Sequence, residues 1–345
     1  MSAINASTQH LLWWLVCLYL PIASAADSGL DQLLRQGTNF QLQGNYTMAD
    51  EVGEQLKRDF PITGAGHALN LNTLVTRLSW DLADTQYDAA LESEAAASLK
   101  LCTKKTKSYP DDAGGYHLCG QAKFALTFLN AARGSYFRGG RNAASTIKYL
   151  EQALKRDPGL TDAKMHLGIT YYYADNLPPF VRAISRFLKF VPTGNSSKSL
   201  PYLLEAAESG RYLRDAAKYL YADLVMSSEP DRLEEAGTFL SDLVQRYPMN
   251  RRFQFKYINF LVQTEQHDRA LQVVRAFTKR EKCCPLPEDD LNLAQLWRAN
   301  IELAMGKHNL AQPSLALVRQ EALASWAQDW YDDTNMMLME VAPRQ

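Results

Sequence analysis

Residues 37–61, GTNFQLQGNYTMADEVGEQLKRDFP, decide the fold. Gly37, Phe40, Gly44, Tyr46, Ala49 and Pro61 stand there as a small residue, an aromatic, a turn glycine, an aromatic, a small residue and a helix-stopping proline. That order suits two antiparallel helices. Where two helix axes approach closely, the crossing needs small side chains, and Gly37 and Ala49 supply them. Phe40 fills space toward the next pair. Pro61 lacks an amide hydrogen and clashes with the turn before it, so it stops the second helix.

Working outward, the same signals recur. Gly134, Phe137, Leu150, Ala153, Leu154 and Pro158 read as a further copy, because Gly134 precedes Pro158 by 24 residues, as Gly37 precedes Pro61. Thr161 opens another, with Gly168 34 residues after Gly134 and Tyr171 at the aromatic position. Ala236 and Ala270 are again 34 apart, with Pro248 between them. Apolar residues fall at helical spacing almost throughout, and no stretch alternates as a strand would. A fixed period of this size marks a repeat array: one hairpin cannot bury its apolar face alone, and stacked neighbours complete the core.

These positions and their period resemble the tetratricopeptide repeat (TPR). The resemblance implies an all-α fold, a right-handed superhelical solenoid of antiparallel helix hairpins forming a single domain over 26–345. Copies are expected at 30–63, 127–160, 161–194, 217–250 and 251–284, with a weaker one at 292–325 and a capping helix over 326–341. Residues 64–126 read as helical without a clean register, and 197–209 as an extra helix. The run from Leu167 through Tyr171, Tyr172 and Tyr173 to Pro178 resembles a divergent exported bacterial subset of the family, mostly of undefined role. Counted from Thr161 and Arg251, the family's groove positions fall on Asp162, Met165, Ile169, Tyr172 and Tyr173, and on Arg252, Phe255, Asn259, Val262 and Gln263. Mixed aromatic and polar surfaces of this kind suit helical or extended peptides. The family's lysine-and-asparagine clamp is represented by no more than Arg252 and Asn259.

Composition narrows the function classes. Hydrophobic residues make up 46% and charged residues 22% of the 345, which is globular composition. Thirty-seven basic residues balance thirty-eight acidic ones, leaving a net charge of −1 and no bulk attraction for nucleic acid. Residues 1–25 contain no Asp, Glu, Lys or Arg, and Leu11–Leu20 is an unbroken apolar run closed by Pro21. Ala23-Ser24-Ala25 then supplies small residues before Ala26, so 1–25 read as a signal peptide and the mature chain as periplasmic or secreted. An uncleaved N-terminal anchor is the alternative, since the segment lacks a basic residue ahead of its apolar run. The mature chain offers no further run of spanning length.

Four cysteines remain after cleavage: Cys102, Cys119, Cys283 and Cys284. Helices flanking a loop near Pro110 bring Cys102 and Cys119 to the same end of an antiparallel pair. They read either as a disulfide or as two buried thiols. Cys283-Cys284 lacks metal-ligand spacing. No nucleophile elbow, metal-binding HExxH or phosphate loop occurs, and Gly134–Gly140 follows a helix rather than a strand. Catalysis, metal and cofactor are therefore not expected. The leading reading is an adaptor that binds a protein or peptide partner on a concave face. The other is a small-ligand or transporter-accessory receptor, motivated by the aromatic segment from Tyr171 to Phe180.

Overall fold

A computed structural model describes residues 25–176, 195–279 and 286–341. The apolar run 11–20, the Pro178-Pro179 step, Cys283 and Cys284 lie outside the described residues. All regular structure among the described residues is helical. The helices are α1 (Ala25–Leu42), α2 (Tyr46–Asp59), α3 (Ala65–Leu78), α4 (Asp88–Ser108), α5 (Ala113–Ala132), α6 (Tyr136–Arg156), α7 (Thr161–Asp175) and α8 (Ser196–Ser209). They continue as α9 (Arg214–Ser228), α10 (Leu233–Arg246), α11 (Arg251–Gln263), α12 (His267–Lys279), α13 (Glu288–Ala304), α14 (His308–Ala316) and α15 (Ser325–Val341).

From α1 to α14, each odd-numbered helix packs on the even-numbered helix that follows it and also touches the next odd-numbered helix along the chain. The odd helices therefore form an inner row and the even helices an outer one. Four hairpins turn in the same way. Gly44, Gly134, Glu265 and Gly306 adopt φ of 81°, 65°, 58° and 70°, each two residues before the outer helix begins. In each, the next amide reaches back to close the preceding helix: Asn45 to the Phe40 carbonyl, Ser135 to Asn130, Gln266 to Leu261 and Lys307 to Glu302. Pro61, Pro158 and Pro248 each stand two residues beyond the helix they stop.

This geometry corrects the register of the copy expected at 127–160. Gly134 is the turn residue equivalent to Gly44, and a Cβ there would meet nothing within 4 Å. Its inner helix is α5, beginning at Ala113, and Phe137 stands in the first turn of the outer helix α6, 52% exposed. Gly134 stands seven residues later in its hairpin than Gly37 does, and α6 has 21 residues where α2 has 14. The two offsets cancel, and a false match to the 24-residue spacing results. The close approach of α5 and α6 is at Gly120, where a Cβ would sit 2.4 Å from a methyl of Leu150.

The other small positions are buried. Gly37 faces Leu69 of α3 and Val52 of α2, while Ala49, Ala236 and Ala270 are fully covered. Tyr171 is buried and its hydroxyl donates to Glu151 at 2.6 Å. Gly168 packs on α8, its Cβ position 2.9 Å from the Ser199 carbonyl and 3.1 Å from Leu203. The helix expected over 197–209 is present as α8 and packs on α7. Cys102 and Cys119 are disulfide-bonded to each other, their Cα atoms 5.5 Å apart, between α4 and α5. Residues 64–126 hold α3, α4 and most of α5, whose lengths of 14, 21 and 20 residues explain why that stretch carries no constant period.

The row of hairpins bends until its beginning meets its later members. Asp31 on α1 accepts hydrogen bonds from Tyr212 Oη at 2.5 Å and Arg211 at 2.8 Å. The Leu42 carbonyl at the end of α1 accepts from Asn250, the N-cap of α11, at 2.8 Å. Arg252 donates to the Thr76 carbonyl in the last turn of α3. Trp80, just past α3, lies under Arg251 at 4.1 Å from its ring centre and meets Phe255 and Trp326 at 6.2 and 5.7 Å. Asp81 caps the start of α15 through the Ser325 amide at 2.9 Å.

Gly168→Leu is expected to cost about 1–3 kcal/mol or more through overpacking against α8. Gly134→Asn should be nearly neutral, because Asn tolerates the left-handed conformation and no atom crowds the site. Urea unfolding followed by far-UV circular dichroism checks both. Equal destabilisation by the two variants would contradict the corrected register.

Candidate functional site

The inner row would form a groove if it were open along its length. It is not. Asp162 is buried, and its carboxylate accepts the amides of Tyr212 and Leu213 at 3.0 and 3.1 Å, binding the α8–α9 loop to the first turn of α7. Met165 and Ile169 belong to the main apolar core with Leu203, Tyr221 and Phe255. Arg252 and Phe255 are taken up by the closure against Thr76 and Trp80. These five expected groove residues are corrected to core and closure positions: the returning loop covers Asp162, the apolar core takes up Met165 and Ile169, and the end of α3 with Trp80 meets Arg252 and Phe255.

Tyr172 is half-buried against the core and Tyr173 is exposed, their rings 5.5 Å apart. Beyond them along the inner row, Lys256 pairs with Asp223 and Gln263 donates to the Met226 carbonyl at 2.9 Å. Asn259 and Val262 reach a cleft of about 520 Å³ between α11, α13 and α15. Trp297, Asn300, Leu303 and Ala304 form its floor and Trp326, Trp330 and Met337 its α15 wall.

The wall is held in place by polar contacts. Asn300 accepts the Trp330 indole N–H at 3.1 Å and donates to Thr334 at 2.9 Å, which fixes the rotation of α15 on α13. Trp297 and Trp330 meet edge to face at 4.6 Å, a favoured aromatic arrangement. The Asn259 side chain has no hydrogen-bond partner among the described residues, so its carboxamide is a donor and acceptor available to a guest. The indole N–H of Trp297 is covered and unpaired among the same residues.

Of the expected groove residues, Asn259 and Val262 line this cleft. Trp297, Asn300, Trp326, Trp330 and Met337 fall outside the family's groove positions, and sequence reasoning misses them. A signal does exist: Trp326 and Trp330 stand at i, i+4 on a helix with no Lys, Arg or His. Among the described residues no group of three or more His, Cys, Asp and Glu side chains could hold a metal ion. No helix among them is long and apolar enough to cross a membrane.

Inner helices touching in sequence, outer helices behind them, and a shared left-handed turn within hairpins define the architecture. The fold is a TPR-like helical solenoid. No protein-family model matches the chain, and no curated protein matches it. Two solved structures of TPR proteins are similar. One is the thermophilic TPR protein TTC0263 of Thermus thermophilus, at 18% identity over 68% of this chain and 99% of that one, with a TM-score of 0.41. The other is a TPR protein of Parabacteroides merdae, at 12% identity over 90% and 99%, with a TM-score of 0.38.

His166 on α7 is buried and His117 on α5 is half-buried beside it, ring centres 6.1 Å apart, and the covered His117 Nε2 and His166 Nδ1 have no partner among the described residues. Burial holds both imidazoles well below their ordinary value of 6.5, and the charge of one further disfavours the other at His166. The unfolded chain takes up two protons near pH 6.5 that the folded chain refuses until far lower pH. Folding stability should therefore fall as pH drops from about 7 toward about 4.5. Asp290 works in the opposite sense, since burial raises its carboxyl to about 6, although Arg251 opposes the shift. With two imidazoles against one carboxyl, the net loss remains. Urea midpoints across that pH range should show it, and His117→Gln with His166→Gln should flatten the slope. An unchanged slope would contradict the assignment.

Proposed function

We propose that this chain is an exported, non-catalytic scaffold that holds a protein partner in the aromatic cleft between α11, α13 and α15. The observation that carries the reading is the cleft itself. An apolar, tryptophan-walled recess with a few fixed amides is the usual anatomy of a site for anchoring side chains. A TPR-like fold suits a protein-interaction scaffold, and its inner helices present that recess. Export is supported by the uncharged apolar run ending in Ala23-Ser24-Ala25, and by the Cys102–Cys119 bond, a feature of oxidising compartments. Sequencing of the mature protein should begin at Ala26.

Site-specific photocrosslinking in producing cells tests the cleft. A crosslinker at Asn259 or Met337 should give adducts of partner size, while one at the exposed Thr238 on outer helix α10 should not. Adducts at Thr238 alone, or none at the two cleft positions, would overturn the assignment. Adducts to a small molecule instead would move the reading to a ligand receptor.

A further inference from the structure

The last helix of a repeat array is normally a polar cap, because its outer face has no neighbour to cover it. α15 departs from this. Trp326, Met336, Met337 and Met339 on it are 44%, 57%, 53% and 67% exposed. Its core-facing residues are elsewhere: Ala327 and Thr334 are buried, and Trp330 leans on Trp297. Trp326 also meets Trp80 in the closure, but the exposed methionines are not left over from packing. They extend the cleft wall, where Met337 and Trp326 already stand, onto the outside of the helix.

Charge on the same face is one-sided. Asp329, Asp332, Asp333 and Glu340 are exposed, and residues 325–341 contain no Lys, Arg or His. Asp332 accepts from Gln320, a neutral partner, and none of the four forms an ion pair among the described residues. Helical spacing sorts them: Asp329, Asp333 and Glu340 fall on one line, at i, i+4 and i+11, between Met336 on one side and Trp326 with Met337 on the other. The chain as a whole is nearly neutral, at −1, so this acidic line is a local feature and not bulk charge. Methionine adapts its shape to varied apolar guests, and acidic residues beside it select by charge.

We infer that the cleft and the outward face of α15 take a basic amphipathic helix of a partner protein, an inference that rests on the proposed function. The apolar stripe of the guest enters between Trp297, Trp330 and Met337. Its Lys and Arg residues lie along Asp329, Asp333 and Glu340. Flexible thioethers accommodate the stripe, and the acidic line sets its orientation and sign.

Full-length mature protein, titrated with synthetic peptides and followed by tryptophan fluorescence, tests this. The probe is a helical peptide of Leu and Lys, about 18 residues long, with one apolar face. Its controls are a peptide of the same composition shuffled to abolish the face, and a counterpart with Glu for Lys. The facially ordered basic peptide should bind at least about tenfold more tightly than either control, and more weakly as salt rises. Asp329→Asn, Asp333→Asn and Glu340→Gln together should weaken it about tenfold and flatten the salt dependence, with an unchanged thermal melt, because all three side chains are exposed. Trp326→Ala should weaken it with the salt dependence intact. Equal binding of the shuffled peptide, equal binding of the acidic one, or indifference to the triple substitution would each overturn the inference. So would failure of the basic peptide to bind. If photocrosslinks at Asn259 and Met337 persist alongside that failure, the cleft still holds a partner and only its chemistry is wrong.

Discussion

The meeting of α3 with α11 sets the rest of the molecule. The last turn of α3 ends in carbonyls whose aligned dipoles leave partial negative charge there. Arg252, buried in the first turn of α11, donates to one of them, that of Thr76, across 176 residues of chain. Trp80 follows directly, with Arg251 over its face and Phe255 and Trp326 around it. A guanidinium on an indole is worth about 0.5–2 kcal/mol depending on how dry the site is. A buried arginine without its acceptor would cost more than that. The contact is therefore selective for one curvature of the solenoid: only when the hairpins bend far enough does Arg252 find the end of α3.

That curvature decides which part of the inner row is free. The starts of α7 and α11 and the loop before α9 are occupied by the chain itself, through Asp162, Asn250 and Asp31. The accessible stretch begins at Tyr173 and runs to the C-terminal ends of α11 and α13. There α15 turns back to build a wall, anchored at its start by Asp81 from the loop after α3. The closure that removes one end of the groove thus positions the helix that furnishes the other. Four of the six tryptophans of the chain, Trp80, Trp297, Trp326 and Trp330, gather along this seam.

How much of this is legible in the sequence depends on distance along the chain. Local signals read directly. Pro61, Pro158 and Pro248 mark helix ends, and Gly37, Ala49 and Gly168 mark close approaches, because each acts on its own turn or an adjacent helix. Gly134 misleads because a longer α6 imitates the spacing of Gly37 and Pro61. The site is less legible. Groove positions assume a straight run of identical hairpins, and here Arg252 and Phe255 meet residues from the second hairpin instead. Asn259 and Val262 stay accessible because they stand about two and three turns of α11 beyond Arg252, past the reach of the closure. Trp326 and Trp330 carry a signal in their spacing, but a terminal helix is expected to be a plain cap.

The central claim is that the first two hairpins rest on the start of α11. Distance measurement between spin labels tests it most directly. Gln43 and Met249 are exposed residues on either side of that contact, where the Cβ position at Gly44 would lie 3.7 Å from Asn250 Cα. With Cys17, Cys283 and Cys284 replaced by Ser and the Cys102–Cys119 bond kept, labels at the two positions should give one short, narrow distance distribution. It should broaden and lengthen in Trp80→Ala. A long or broad distribution in the chain that keeps Trp80 would contradict the closed solenoid.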